Sequence, residues 1–333
     1  MAVTTTAAPP YVTIWQTTTA IVASRALQVA AELGVADQIG ERPVPVQTLA
    51  EACGVNAGAL ERVLRLLASI GIFVRREGGY AHSDASRVLR TDAPDSMRAF
   101  ARLMNLRFVN EAFTHLEHSV QTGEPAARIV DPRGIWGHLR DHPDEARIFG
   151  EAMLAKAAAD IPAVLEAYDF RRFGTIADIG GGLGHLLRAI LERAPESNGI
   201  LFDLPEVIGS LPRAADRLTA VAGDFFRDTL PSADAYILMD VLHDWSDQDC
   251  VRILSAIRRA AAVGATVAVI EGIVADAGDD PRVNTMDVLM LAMAGGHERS
   301  AAELETLFVA SGFKLNAVVQ TAGPMKLVEG VAV

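Results

Sequence analysis

The chain has 333 residues, half of them hydrophobic, which is enough for about two domains with a sizeable core. Its formal net charge of −12 disfavours non-specific binding to nucleic acid, which needs a positive surface. No apolar run approaches the roughly 18 residues of a membrane span, and no signal-peptide pattern is evident. Cys53 and Cys250 match no metal or redox spacing. These features predict a cytoplasmic protein that binds neither nucleic acid nor a membrane.

The N-terminal part of the chain predicts a long helix followed by a winged helix-turn-helix. Apolar residues recur at helical spacing from Tyr11 to Leu33, and Gly34 is a good helix stop. Two further helices, at 46–52 and 59–69, flank a tight turn, and the two glycine-bounded segments after them can form a small β-wing.

A winged helix-turn-helix often reads DNA, so a DNA-binding regulator is one interpretation of this unit. Its second helix, however, offers only Glu61, Arg62 and Arg65 among many apolar residues. A helix this apolar favours burial or pairing with another subunit. The pattern therefore favours a structural or dimerisation role over DNA binding.

The middle of the chain is mostly helical by pattern. Residues 97–117 predict one amphipathic helix, Gly123-Glu124-Pro125 break it, and residues 144–168 predict another long helix. On the latter, Phe149 and Met153 lie four residues apart and share a helix face. From this position in the chain, such helices can roof a pocket.

From Gly174 onward, apolar strand-like runs alternate with helices, which is the pattern of a mainly parallel, doubly wound sheet. The last two runs meet across residues 321–324, which predicts an antiparallel hairpin. Ligands of such sheets bind beyond the carboxyl ends of the strands. The predicted strands are 176–179, 200–204, 219–222, 235–241, 266–270, 314–320 and 325–331.

The first of these strands leads into the sequence D-I-G-G-G-L-G, residues 178–184. A dinucleotide fingerprint would need its third glycine where this chain has His185, and no lysine follows as in a phosphate-binding loop. The alternating Gly180, Gly182 and Gly184 allow a ligand to approach the backbone closely. The loop suits a cofactor with an amino-acid end and a nucleoside but no phosphates, which indicates S-adenosylmethionine.

The next two strand ends carry groups that suit the same cofactor. Asp203 follows the glycine loop by roughly 20 residues, where an acidic residue accepts both ribose hydroxyls. Asp224, followed by Phe225 and Phe226, combines a hydrogen-bond acceptor for the exocyclic amine of adenine with rings that stack on its face.

The fourth strand ends near His243, whose imidazole is the natural general base for a phenol or similar acidic hydroxyl. Glu271 ends the fifth strand, and Glu298 lies in the sequence G-G-H-E-R-S. Carboxylates beside a histidine orient its ring and stabilise the imidazolium. Asp244 is alternatively a cap for the helix that begins at residue 246 or 247.

The motifs D-I-G-G-G-x-G, F-D-L-P, G-D-F-F, L-H-D-W-S-D and G-G-H-E-R-S, in this order, resemble the plant-type small-molecule O-methyltransferases, the caffeate and flavonoid enzymes. Bacterial relatives of that family modify polyketides and other aromatic natural products. The resemblance, which begins at about Trp15, implies a homodimer, metal-independent chemistry and a Rossmann-like α/β fold. We expect a winged-helix dimerisation domain at 11–95, a helical connector at 96–168 and the S-adenosylmethionine-binding domain at 169–333.

The resemblance also implies roles for individual residues. His243 is expected to be the catalytic base, with Glu271 and Glu298 beside it. Residues expected to bind the cofactor are Asp178, Gly180, Gly182, Asp203, Leu204, Asp224, Phe225, Phe226 and Met239. Residues expected to bind the aromatic substrate are Phe149, Met153, Asp244, Trp245, Met290 and Met293.

Two positions depart from the plant pattern. The plant enzymes carry a cofactor-contacting lysine four residues before the catalytic histidine, where this chain has Met239. Their asparagine before the double glycine is replaced around Met293-Ala294, which predicts a different substrate preference. Two other functions stay open: a methyltransferase-like enzyme with hydroxylase or decarboxylase chemistry, and a DNA-binding regulator that senses S-adenosylmethionine. The presence of His243 with both carboxylates favours methyl transfer, and the acidic composition disfavours the regulator.

Overall fold

The computed structural model describes residues 9–211, 216–274 and 280–333. The chain divides into two units, one ending at Leu106 and the other beginning at Arg107. Among the described residues, no helix is both long and apolar enough to cross a membrane.

The first unit is helical apart from one small hairpin, and the predicted winged helix-turn-helix is confirmed. The long helix ends before Gly34, which adopts the left-handed conformation at φ 66°. Asn56 caps the second helix of the motif by accepting a hydrogen bond from the Ala59 backbone N–H. The elements are α1 (Pro10–Glu32), α2 (Val46–Cys53), α3 (Ala57–Ser69), β1 (Phe73–Arg76), β2 (Gly79–His82), α4 (Asp84–Arg87) and α5 (Arg98–Leu103).

The apolar residues of this unit separate into a buried set and an exposed set. Leu49 of α2 and Leu64 and Leu67 of α3 are fully buried in one cluster with the wing. The apolar face of α3 therefore builds the core of the unit, as its sequence predicted. The N-terminal half of α1, in contrast, exposes large apolar side chains at Tyr11, Ile14, Trp15, Ile21 and Val22.

The prediction of one continuous helix at 97–117 is wrong. The chain forms α5, then turns at residues 104–106, and continues as α6 (Arg107–Thr114) and α7 (Leu116–Thr122). At the turn, the Asn105 N–H bonds the Arg102 carbonyl, which is the tighter spacing of a helix that is ending. The apolar periodicity is similar on both sides of this turn, so the sequence pattern did not reveal the break.

The second unit begins with helices and continues as an α/β sheet. After α6 and α7 come α8 (Ala127–Val130), α9 (Gly134–Asp141) and the long helix α10 (Pro143–Ala167), which confirms the second predicted helix of this region. The remaining helices are α11 (His185–Arg193), α12 (Pro205–Gly209), α13 (Asp247–Ala260), α14 (Pro281–Met293) and α15 (Ala301–Ala310).

The seven predicted strands are all present and belong to one sheet. They are β3 (Thr175–Ile179), β4 (Asn198–Asp203), β5 (Leu218–Ala222), β6 (Ala235–Met239), β7 (Thr266–Gly272), β8 (Phe313–Gln320) and β9 (Met325–Ala332). Their order in the sheet is β5-β4-β3-β6-β7-β9-β8. β3 to β7 run parallel, while β9 is antiparallel to both β7 and β8, which confirms the doubly wound sheet with a C-terminal hairpin.

The sheet is covered on both faces, so its central strands are mostly apolar. Every residue of β7 is buried. One core cluster packs the sheet against α13 and α15, and the other packs it against α10 and α11. The carboxyl ends of the parallel strands meet at one edge, and the strand order places the ends of β5, β4, β3, β6 and β7 side by side there.

Candidate active site

The glycine loop after β3 is shaped by close contact with its own strand. A Cβ atom at Gly181 would lie 2.4 Å from the Asp178 Cγ atom, so only glycine fits above that carboxyl group. Gly182 adopts φ 58°, and a Cβ atom there would meet nothing within 4 Å, so the outer side of the loop is open to a ligand. Burial, with the nearby charge of Asp203, raises the pKa of Asp178 to about 7.

Asp203, at the end of β4, joins its strand end to the glycine loop. Its Oδ2 atom accepts a hydrogen bond from the Gly182 N–H at 2.7 Å, and its Oδ1 atom accepts one from the Leu204 N–H at 2.7 Å. Burial raises the pKa of this carboxyl group despite those two bonds. A carboxylate offers about four lone-pair sites, so both oxygens keep capacity for ribose hydroxyls.

Asp224, two residues beyond β5, fixes the two phenylalanines that follow it. Its Oδ1 atom accepts a hydrogen bond from the Phe226 N–H at 2.9 Å. The Phe225 and Phe226 rings pack edge to face, 4.8 Å between centroids, and the Arg252 guanidinium lies over Phe226 at 4.5 Å. Phe225 also lies 3.7 Å from the ideal Cβ position of Gly180, so this ring borders the glycine loop.

An aromatic row continues from these rings toward helix α10. Trp245 packs edge to face on Phe225 and Phe226, at centroid distances of 5.8 and 4.8 Å. Trp136 stacks on Trp245 at 6.2 Å and meets the edge of Phe149 at 5.6 Å. Phe149, Trp245, Phe225 and Phe226, which the sequence assigned to two different ligands, therefore belong to one continuous surface.

His243 lies in a short 3-10 turn directly after β6 and is 4 % exposed. Its Nδ1 atom lies 2.8 Å from Glu298 Oε1, and its Nε2 atom lies 3.8 Å from Asp244 Oδ1. An Nδ1–H that donates to Glu298 leaves Nε2 as the nitrogen that can accept a proton from a ligand. The structure thus brings the predicted base and one of its two predicted carboxylates into direct contact.

The charges around His243 favour its protonated form. Burial lowers its pKa, but the hydrogen bond to Glu298 and the charges of Asp244, Asp240 and Glu271 outweigh burial and raise the pKa to about 9. At neutral pH the ring is therefore mostly imidazolium, and the neutral form that accepts a proton grows as the pH rises toward 9.

Glu271, which the sequence also placed beside the histidine ring, bonds the backbone instead. Its Oε1 atom accepts hydrogen bonds from the N–H groups of Val241, Leu242 and His243, at 3.2, 2.6 and 3.1 Å. The side chain is fully buried, which raises its pKa to about 7. Glu271 thus holds the turn that carries His243.

Arg299 and Gly296 hold the same turn from the opposite side. The fully buried Arg299 donates to the Leu242 carbonyl at 3.0 Å and to the Trp245 carbonyl at 2.7 Å. A Cβ atom at Gly296 would lie 2.1 Å from the His243 carbonyl oxygen, so glycine is required there. The predicted cap of α13 is Ser246 rather than Asp244, because the Ser246 side chain accepts from the Asp249 N–H.

The remaining predicted residues lie on or beside α10, α14 and β6. Met290 and Met293 of α14 are buried, whereas Phe149 and Met153 of α10 are half-buried. Met239, the last residue of β6, packs against the core cluster under α10 and α11. No group of His, Cys, Asp and Glu side chains in the described ranges is arranged to hold a metal ion.

Comparison with known proteins agrees with this geometry. Residues 113–314 match the O-methyltransferase domain family, and residues 15–92 match the O-methyltransferase dimerisation domain. The chain belongs to the O-methyltransferase family. It is an enzyme that uses S-adenosylmethionine, and residues 15–92 form the dimerisation domain through which two copies pair.

Individual relatives are similar over nearly the whole methyltransferase chain. A phenazine O-methyltransferase of Lysobacter antibioticus is 40 % identical over 314 residues, 92 % of each chain. The crystal structure of LaPhzM has a TM-score of 0.93 at 37 % identity and covers 98 % of this chain and 100 % of that one. An O-methyltransferase from neocarzinostatin biosynthesis, solved with S-adenosylmethionine and 2-hydroxy-5-methyl naphthoic acid, has a TM-score of 0.78 at 33 % identity and covers 93 % and 96 %.

The residues present fit the cofactor. The glycine loop leaves open space at Gly182, and Asp203 and Asp224 present acceptors at the next two strand ends. Sequence reasoning missed Trp136, Lys156, Asp240 and Arg299. Arg299 lies inside the motif G-G-H-E-R-S, and Asp240 lies just before L-H-D-W-S-D. Lys156 is three residues beyond Met153, so helical spacing was the signal that could have indicated it.

Proposed function

We propose that this methyltransferase methylates a hydroxyl group of a small, flat aromatic natural product, and that His243 removes the hydroxyl proton. The observation that carries the proposal is the buried His243–Glu298 contact of 2.8 Å at the end of β6, beside an aromatic surface. The relatives act on, or were solved with, compounds of this kind: a phenazine and a naphthoic acid.

S-adenosylmethionine supplies a positively charged sulfonium methyl group. His243 accepts the acceptor's hydroxyl proton at Nε2 as the oxygen attacks that methyl carbon; the new O–CH₃ bond forms while the S–CH₃ bond breaks. Glu298 holds the ring through Nδ1 and stabilises the imidazolium that forms. Proton transfer by such a base contributes about 10²–10⁴-fold to the rate, and the remainder is positioning.

The aromatic row supplies the positioning surface. Trp136, Phe149 and Trp245 offer ring faces and edges to an acceptor, and aromatic pairs prefer offset or edge-to-face packing. We also propose that the enzyme acts in the cytoplasm, because Cys53 and Cys250 are both free thiols, which suits a reducing compartment.

The test measures S-adenosylhomocysteine release from purified enzyme with S-adenosylmethionine and a panel of phenolic and polycyclic aromatics, together with the mass of the product. We expect a product heavier by one methyl group replacing one hydrogen. His243→Gln should reduce kcat by at least about 100-fold while leaving the affinity for S-adenosylhomocysteine unchanged. His142→Gln, at the exposed histidine directly before α10, is the matched control.

Activity that survives His243→Gln would show that another group removes the proton. An acceptor that is hydroxylated or decarboxylated without gaining a methyl group would support the diverged chemistry instead. A salt-sensitive shift of duplex DNA would support the regulator.

A further inference from the structure

Lys156 is a buried cation that the mechanism above does not use. It is one of only three lysines in the chain; the other two, Lys314 and Lys326, lie on the C-terminal hairpin. Lys156 lies in α10 and is 8 % exposed. Its Nζ atom lies 2.7 Å from the Oδ1 atom of Asp240, which is the first residue after β6. The Asp240 side chain is 14 % exposed.

The Lys156–Asp240 ion pair is not readily explained by a contribution to the stability of the fold. Burying two opposite charges costs desolvation that their attraction often only offsets. Asp240 also adopts a left-handed backbone conformation at φ 54°, which is uncommon outside glycine and concentrates at functional sites. Burial raises the pKa of Asp240, but the charges of Lys156 and His243 outweigh burial and lower the pKa, so the carboxylate is ionised.

The pair lies where the strand order predicts the far end of the cofactor. A Cβ atom at Gly180 would lie 3.2 Å from a Val241 methyl group, so the chain around Asp240 lies against the glycine loop. Along the sheet edge, Asp224, Asp203, the glycine loop and Asp240 follow the order β5-β4-β3-β6. Three strand spacings of roughly 4.8 Å span about 14 Å, which suits an extended nucleoside joined to an amino acid.

With adenine at Asp224 and ribose at Asp203, the order leaves the amino-acid end of the cofactor at β6. That end is a zwitterion, with an ammonium group and a carboxylate on one carbon. The pair at β6 offers the complementary charges side by side. An ammonium group has three N–H donors, so Lys156 can keep its bond to Asp240 and still donate to a ligand.

The helix holds Lys156 firmly in this position. One turn further along α10, Asp160 accepts from Arg282 of α14 at 2.6 Å, which ties the two helices together. Lys156 also lies on the same helix face as Phe149 and Met153, at the i, i+4, i+7 spacing. The cation is therefore placed between the predicted acceptor contacts and the glycine loop.

We propose that Lys156 and Asp240 bind the α-amino-acid end of S-adenosylmethionine, Lys156 donating to its carboxylate and Asp240 accepting from its ammonium group. The inference deepens the proposed function and rests on the cofactor site within it. Lys156 would supply a positive charge to the cofactor from helix α10, whereas the last residue of β6, Met239, is uncharged.

The test compares two ligands by calorimetry: S-adenosylhomocysteine, which has the amino-acid end, and 5′-methylthioadenosine, which has the same nucleoside and a thioether but lacks that end. In Lys156→Met, the affinity for S-adenosylhomocysteine should fall about 10- to 100-fold, because hydrogen bonds between charged groups are lost. The affinity for 5′-methylthioadenosine should stay within about twofold. Lys314→Met removes the same charge from an exposed strand position and should change neither affinity.

Asp240→Asn is a second, nearly isosteric variant in case Lys156→Met does not fold, and it should show the same selective loss. Equal loss for both ligands would overturn the proposal, because a structural ion pair would distort the whole site. Unchanged affinity for S-adenosylhomocysteine, with a raised KM for acceptors that carry a carboxylate, would overturn it in favour of an acceptor subsite. Binding requires no methyl transfer, so these results are independent of whether the proposed reaction is correct.

Discussion

Two neighbouring parts of the site are built by opposite means. The base loop, residues 241–245, is held by directional polar bonds: Glu271 binds its N–H groups, Arg299 binds its carbonyls and Glu298 binds the His243 ring. The proposed acceptor wall consists of large apolar side chains, and two of its rings, Trp136 and Phe149, meet edge to face. It consists of Trp136, Phe149, Met153, Met290 and Met293.

This difference predicts where changes will matter. Hydrogen bonds to charged groups have strict geometry, so a small shift in the base loop misplaces the proton acceptor. Apolar surfaces tolerate replacement by side chains of similar volume, and methionine adapts to varied shapes. We therefore expect changes in the base loop to lower kcat, and changes in the acceptor wall to alter KM and acceptor preference.

The largest effect should come from Glu298→Gln. An amide can donate to Nδ1 of His243 and fix the tautomer whose Nε2 carries the proton, which cannot act as a base. We expect kcat to fall about 10²–10⁴-fold, as in other enzymes that lose the carboxylate behind a catalytic histidine.

The pH profile of this variant separates charge from geometry. In the wild-type enzyme, kcat/KM should rise with pH with a midpoint near pH 9 and level off above it, because the imidazolium must lose its proton before it can accept one. Without the Glu298 charge the pKa of His243 falls, so the midpoint of the rise should move to lower pH. Glu305→Gln, at an exposed position of α15, should leave the profile unchanged. An unshifted midpoint in Glu298→Gln would mean that other carboxylates set the pKa.

Arg299→Lys should have a smaller effect on the same loop. The guanidinium bridges the Leu242 and Trp245 carbonyls and the Asp247 carboxylate in a fixed fork, which a single ammonium group cannot reproduce. We expect kcat to fall about 10-fold, and stability to fall by about 1.5–3 kcal/mol in thermal unfolding. Affinity for S-adenosylhomocysteine should not change. Arg259→Lys, at an exposed position of α13, is the control; loss of cofactor affinity in Arg299→Lys would show that the loop also shapes the cofactor site.

The sequence predicted the base loop better than its supports, for a physical reason. The order of strands and the residues at their ends follow from local periodicity, so His243, Asp203 and the glycine loop could be placed at one sheet edge. The different contacts of Glu271 and Glu298 could not be predicted, because periodicity does not show which carboxylate contacts the His243 ring and which contacts the backbone. That choice is made by packing within the sheet.

Contacts between distant helices were harder still. Trp136 of α9 contacts Trp245, and Lys156 of α10 contacts Asp240, because tertiary packing brings these helices to the strand ends. The local pattern of either helix does not show which strand end the helix will contact. The break in the helix predicted at 97–117 was missed for a related reason. The apolar spacing continues through the turn at 104–106, so the local pattern does not show where the helix ends.

The smallest effect should come from Phe149→Leu in the acceptor wall. The variant keeps an apolar side chain but loses the edge contact with Trp136, and such aromatic contacts are worth about 0.5–1.5 kcal/mol. We therefore expect KM for aromatic acceptors to rise about 2- to 10-fold, with kcat within about twofold. Met153→Leu conserves volume and should change KM by less than about twofold. If Phe149→Leu instead lowered kcat at constant KM, the aromatic row would be coupled to the base loop through Trp136 and Trp245, and the two regions would act as one.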